Sequence, residues 1–114
     1  MEIKTRESHN IIIYDIIGDI TVREEIPVTL HQHVKSQLEV GERNFLLNFE
    51  NIAFIDSYGV GELVASLYSI SDLGGKLKIT KMSQKIRYLF EVTALVRVFE
   101  IFDDEEEAIK SFSN

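Results

Sequence analysis

The chain alternates short runs of branched apolar residues with longer stretches in which apolar positions recur every three or four residues. Ile3 to Thr5 alternates weakly, and Ile11-Ile12-Ile13-Tyr14-Asp15-Ile16-Ile17 is strongly β-branched and stops at Gly18-Asp19. These read as an edge strand and a second strand joined by a turn at Ser8-His9-Asn10. Pro27 opens a helix at a tolerated first-turn position. Val28 to Val40 follows, with Leu30, Val34 and Leu38 on one face, and Gly41 ends it. Asn44 to Phe49 is apolar enough to be a strand buried in a sheet. Ile52-Ala53-Phe54-Ile55 leads into Asp56-Ser57, and a helix is expected from Tyr58 to Leu73, stopped by Gly74-Gly75.

Lys76 to Thr80 alternates as a strand. Ser83 caps a helix over Gln84 to Val92 with Ile86, Leu89 and Phe90 inward. Arg97 to Phe102 reads as the last strand, and Asp103 or Asp104 caps a final helix whose inner face is Ala108, Ile109 and Phe112. The order β-β-α-β-α-β-α-β-α predicts an α/β fold. Its sheet is mixed and mostly parallel, with about five strands and about four helices, in one domain over residues 1–114.

Composition narrows the function classes. The chain is 45% hydrophobic and 27% charged, like an ordinary soluble domain with one core. It has no cysteine, which excludes disulfides, thiolate nucleophiles and Cys-based metal sites. Met1 to Glu7 holds no apolar run resembling a signal peptide, and no stretch reaches the roughly 18 apolar residues of a membrane span. A soluble, cytoplasmic protein is expected. Net charge is −7, and five of those charges fall in Asp103-Asp104-Glu105-Glu106-Glu107, so the rest is nearly balanced. That leaves no basic nucleic-acid footprint and no polybasic membrane patch. The acidic run suits the first turn of a helix, where carboxylates meet unpaired N–H groups.

No catalytic constellation, metal site or cofactor site emerges, and the chain does not read as an enzyme. The serine context Asp-Ser-Tyr-Gly is not a nucleophile elbow. His31 and His33 lie two apart on a predicted helix and do not share a face, and His9, His31 and His33 read as surface residues. Gly59-Val60-Gly61 lacks the remainder of a dinucleotide fingerprint.

The informative stretch is Phe54 to Leu63, where a strand-like run breaks sharply into a helix. Residue 56 or 57 lies where the helix leaves its first N–H groups unpaired, and both Asp and Ser are good caps. At about 100° per residue, Val60, Leu63, Val64, Leu67 and Ile70 share one face, expected to meet the core. Tyr58, Gly61, Glu62, Ala65 and Ser69 share the other, with Gly61, Ala65 and Ser69 forming a shallow lane. Tyr58 heads this lane as a contact anchor.

Asp56-Ser57-Tyr58-Gly59-Val60-Gly61 resembles the Asp-Ser-Ser/Thr-Gly-Leu-Gly signature of the STAS domains of anti-sigma factor antagonists. The resemblance extends to the strand ending at Gly18-Asp19 and to the Leu-Asn-Phe-Glu run before the motif. It also takes in Gly74-Gly75 and the segment from Ile86 to Leu95. It implies a protein-binding switch. The serine matching Ser57 is phosphorylated by an anti-sigma factor that is also a serine kinase. The unphosphorylated form binds that kinase and frees the sigma factor, and a metal-dependent phosphatase restores the serine. Asp56, Ser57, Tyr58, Gly61, Glu62, Ala65 and Ser69 are the expected contact residues. Tyr58 stands where the family usually has a small hydroxylated residue, Thr21 where an aspartate is common, and Ala94 where glycine is common. The segment between Gly18 and the first long helix is also longer than usual. These departures bear on partner identity and on phosphorylation itself. A scaffold in another signalling assembly and a small-ligand-sensing STAS module are the alternative functions.

Overall fold

The computed structural model describes residues 1–22 and 28–113. Strands β1 (Glu2–Ser8) and β2 (Ile11–Ile17) form an antiparallel hairpin. His9 and Asn10 at its turn both have positive φ, 54° and 62°. That geometry matches the right-handed twist of the flanking strands. Strands β3 (Asn44–Asn51), β4 (Lys76–Thr80) and β5 (Glu100–Phe102) then join β2 in parallel, in the order β1-β2-β3-β4-β5. The helices are α1 (Leu30–Glu39), α2 (Ser57–Asp72), α3 (Gln84–Val92) and α4 (Glu105–Ser111). The mixed, mostly parallel sheet and the four helices expected from the sequence are all present.

The two sheet faces are covered unequally. Ile12, Tyr14, Ile16, Phe45, Leu47, Phe49, Leu77 and Ile79 pack against Leu30 and Val34 of α1, Leu63 and Ile70 of α2, and Ile86 and Phe90 of α3. The opposite face offers Ile11, Ile13 and Leu46 to Ala108 and Ile109 of α4 and to Phe112, its C-cap. Arg6 ties this side together: its guanidinium donates to Asp15 at 2.7 and 3.0 Å and also to Glu105. Asn48 Nδ2 adds a bond to Asp15 at 2.7 Å. The Arg6 hydrogen bonds hold the carboxyls of Asp15 and Glu105 below their usual range.

Three expectations are corrected. Helix α1 starts at Leu30 after a Thr29–Gln32 capping box, not at Val28; Pro27 lies outside the described residues. The reciprocal bonds of that box satisfy the first N–H groups and set the boundary. Strand β5 begins at Glu100, because Leu95–Arg97 turn as a 3-10 helix behind Ala94, whose φ is 62°. Lys78 is buried on β4 although it carries a charge. Its Nζ donates to the Ser111 carbonyl at 3.1 Å, pairs with Glu100 at 3.0 Å, and stands 5.7 Å and 4.7 Å from the ring centres of Phe102 and Phe112. A cation on an apolar stem can fill such a position when its head is fully bonded. Third, His31 and His33 are half-buried between elements, not surface groups. No helix among the described residues is long and apolar enough to cross a membrane.

Candidate functional site

The break between β3 and α2 is held from both sides. Ile55 makes an isolated parallel bridge to Ile20. Ile20 N–H donates to the Phe54 carbonyl at 3.0 Å, and Asp56 N–H to the Ile20 carbonyl at 3.3 Å. Asp56, in extended conformation, is the N-cap of α2. Its Oδ1 accepts from Gly59 N–H at 2.9 Å and its Oδ2 from Val22 N–H at 3.1 Å. These backbone donors, Gly59 first and Val22 second, hold the Asp56 carboxyl below the usual range. One carboxylate thereby anchors both the helix start and the end of the 20–22 segment.

Ser57 is therefore the first helical residue rather than the cap, and it is exposed. Its hydroxyl makes no hydrogen bond to any described residue. Asp56 supplies the capping that a serine often provides, so the Ser57 hydroxyl is spared for other chemistry. Tyr58 beside it is 38% exposed.

The two glycines that follow differ. A Cβ on Gly59 would lie 2.2 Å from the Ile20 carbonyl oxygen and 2.8 Å from Ile55 Cγ2. Only glycine allows α2 to start this close to the Ile20–Ile55 bridge. A Cβ on Gly61 would meet nothing within 4 Å. The sequence singled out Gly61 and passed over Gly59. A glycine three residues after a capping aspartate was the available signal.

The expected facing of α2 holds in part. Its fully buried positions are Gly59, Leu63, Ser66 and Ile70, while Val60, Val64 and Leu67 are half-buried against the core. The buried stripe is thus rotated toward Ser66, whose hydroxyl donates to the Glu62 carbonyl at 2.8 Å. The reason is α1, which covers the other flank. His31 N–H donates to Glu62 Oε1 at 3.2 Å, and His31 Nε2 lies 2.8 Å from Ser69 Oγ. Glu62, Ala65 and Ser69 are half-buried, and of the lane only Gly61 is open. Asp56, Ser57, Tyr58 and Gly61 gather at the helix start. Ser69 is twelve residues further, about 18 Å along the axis, and engaged with α1. His31 was the residue missed. It flanks the apolar stripe one step from Leu30, a position from which a side chain reaches a neighbouring helix.

The family model of the STAS domain matches residues 2–108. The chain is 32% identical over 66 residues to an anti-sigma-B factor antagonist of Staphylococcus aureus, covering 58% of this chain and 61% of that protein. The aligned part is less than two thirds of the length of the curated relatives it matches. A crystal structure described as an anti-sigma factor antagonist from Thermotoga maritima superposes with a TM-score of 0.85 at 22% identity, covering 98% of this chain and 95% of that one. The anti-sigma factor antagonist SpoIIAA in its unphosphorylated form superposes with a TM-score of 0.73 at 17% identity, covering 99% of each chain. With the motif at the start of α2, the five-stranded sheet and a match over nearly its whole length, the chain belongs to the STAS domain family.

Proposed function

We propose that this chain is an anti-sigma factor antagonist that works by binding, without catalysis of its own, and is switched by phosphorylation of Ser57. The observation that carries the reading is the exposed Ser57 hydroxyl, without a hydrogen bond to any described residue, in the first turn of α2. The name of the Staphylococcus aureus relative and the description of SpoIIAA by its phosphorylation state support it. The unmodified form binds an anti-sigma factor with serine kinase activity in the cytoplasm and so frees the sigma factor. The kinase moves the γ-phosphoryl of ATP to Ser57 Oγ, which loses its proton. A metal-dependent serine phosphatase hydrolyses the phosphoester and restores the hydroxyl. Asp56, Tyr58 and Gly61 lie beside Ser57 in the contact surface, and Glu62, Ala65 and Ser69 lie on its α1 flank.

Phosphoserine carries about −1.5 to −2 charges. Within the chain that charge meets the unpaired N–H groups and positive dipole end of α2, where anions are favoured. A docked partner has to desolvate it or match it, and like charge across an interface costs several kcal/mol. Binding is therefore the quantity that switches. The test is a pull-down with Ser57→Ala and Ser57→Asp chains as paired baits. A histidine-kinase-like ATPase on the alanine bait alone supports the reading. The same proteins on both baits would overturn it.

A further inference from the structure

Beside Ser57 lies a groove that the switch itself does not use. It is lined by Phe54 and Ile55 from the segment before α2 and by Lys85, Tyr88, Leu89 and Val92 of α3, with a volume of about 240 Å³. Phe54 and Ile55 are within three residues of Ser57, so the groove opens within roughly 10 Å of its Cα by chain connectivity. Tyr88 is 67% exposed and Val92 61%. With Phe54, Tyr58 and Val22, whose N–H bonds Asp56, they place five of the large exposed apolar residues around the start of α2. Grouped apolar exposure of this kind marks an interaction surface.

The groove's chemistry selects its occupant. Its volume is below the roughly 300–1,000 Å³ of small-molecule sites, so it suits a single protein side chain better than a cofactor-sized ligand. Lys85 is the one charged residue lining it. Its ammonium stands 5.8 Å from the centre of the Phe54 ring, and it makes no ion pair with any described residue. On a chain of net charge −7, a cation at the lip of an apolar groove that pairs with no described residue suits a carboxylate supplied by a partner.

We propose that this groove is the specificity pocket of the partner interface. It receives one large apolar side chain of the anti-sigma factor, with a partner carboxylate close by on Lys85. The inference rests on the function proposed above. It assigns the Ser57 region the role of switch and the α3 groove the role of anchor. Buried aromatic and aliphatic anchors of this kind hold most of the energy of an interface, while a rim charge governs association and salt dependence.

The experiment measures dissociation constants for the purified anti-sigma factor recovered on the Ser57→Ala bait. Wild type, Ser57→Asp, Tyr88→Ala, Lys85→Glu and Lys85→Gln are compared, with Tyr68→Ala as a control at another exposed aromatic of α2. Tyr88 and Lys85 are exposed, so these variants should melt as wild type does. The expected result is a loss of tenfold or more for Tyr88→Ala and Lys85→Glu and none for Tyr68→Ala. Raising the salt should weaken wild-type binding more than that of Lys85→Gln. If wild type binds and Ser57→Asp does not, but Tyr88→Ala and Lys85→Glu bind as wild type does, the groove proposal alone falls. If Ser57→Asp binds as tightly as wild type, or neither binds, the switch reading falls and takes the groove with it. A concentration-dependent dimer in sedimentation that Tyr88→Ala dissolves would make the groove a self-association face and overturn the proposal.

Discussion

Replacing Gly59 and Gly61 one at a time by alanine separates packing from propensity within a single motif. A Cβ at Gly59 lies 2.2 Å from the Ile20 carbonyl oxygen and 2.8 Å from Ile55 Cγ2. The first neighbour is backbone, and that carbonyl also accepts the Asp56 N–H. No side-chain rotation relieves the overlap. Either α2 backs away or the Ile20–Ile55 bridge moves. Overpacking of this kind costs typically 1–3 kcal/mol. Alanine's better helix propensity offsets at most about 1 kcal/mol. At Gly61 the Cβ meets nothing, so only the propensity gain of up to about 1 kcal/mol remains. With a slope of 1–3 kcal/mol per molar urea, Gly59→Ala should lower the unfolding midpoint by roughly 1 M, and Gly61→Ala should raise it by several tenths. Urea titrations followed by circular dichroism read both. A Gly59→Ala chain as stable as wild type would refute the close approach of α2 to Ile20. A Gly61→Ala chain that loses stability would refute the open facing of that position.

Gly61→Arg should fold normally, since the position is open and arginine is the better helix former, yet lose at least tenfold in affinity for the anti-sigma factor by titration calorimetry. Asp15 and Glu105 have carboxyls held down by Arg6, so their contribution to stability is complete above their ordinary values of 3.8 and 4.5. It is lost as pH falls from there through the lower folded values, and Arg6→Ala should flatten the slope of midpoint against pH in that acid window. Ala94 holds a φ of 62°, which costs an L-residue about 1–2 kcal/mol, so Ala94→Gly should raise the melting temperature despite glycine's extra unfolded-state entropy. An unchanged or lower melting temperature would count against strain at that turn.

The sheet was legible because its buried strands are continuous apolar runs, and three of the helices carried a legible cap, Asp56, Ser83 and Asp104. What escaped the sequence depends on two elements meeting. Lys78 looks polar in a strand pattern, and only the return of Phe112 and Ser111 across the sheet buries it. Arg97 to Val98 continues an apolar-polar alternation, but Ala94 in a left-handed turn diverts those residues before β5 pairs with β4. The helical wheel of α2 placed Leu63 and Ile70 correctly and left Glu62 and Ser69 facing water. A wheel has no knowledge of α1, and His31 engages both residues. Ser57 was legible as a hydroxyl at a helix start. Its release from capping depends on Asp56 taking both the Gly59 and Val22 N–H groups, and Val22 lies on a distant segment.

The central claim is that Ser57 switches binding without switching the fold. It is tested most directly on one phosphorylated sample, by measuring its dissociation constant for the anti-sigma factor and its melting temperature together. A phosphate at the start of α2 gains about 0.3–1 kcal/mol from the helix dipole. That changes the melting temperature of a domain this size by about 5 °C or less. Against the partner, the same group should raise the dissociation constant a hundredfold or more, equivalent to about 2.8 kcal/mol. An unchanged affinity would leave Ser57 as nothing more than the first residue of a helix, and a collapse in melting temperature would show that the phosphate acts by unfolding the site.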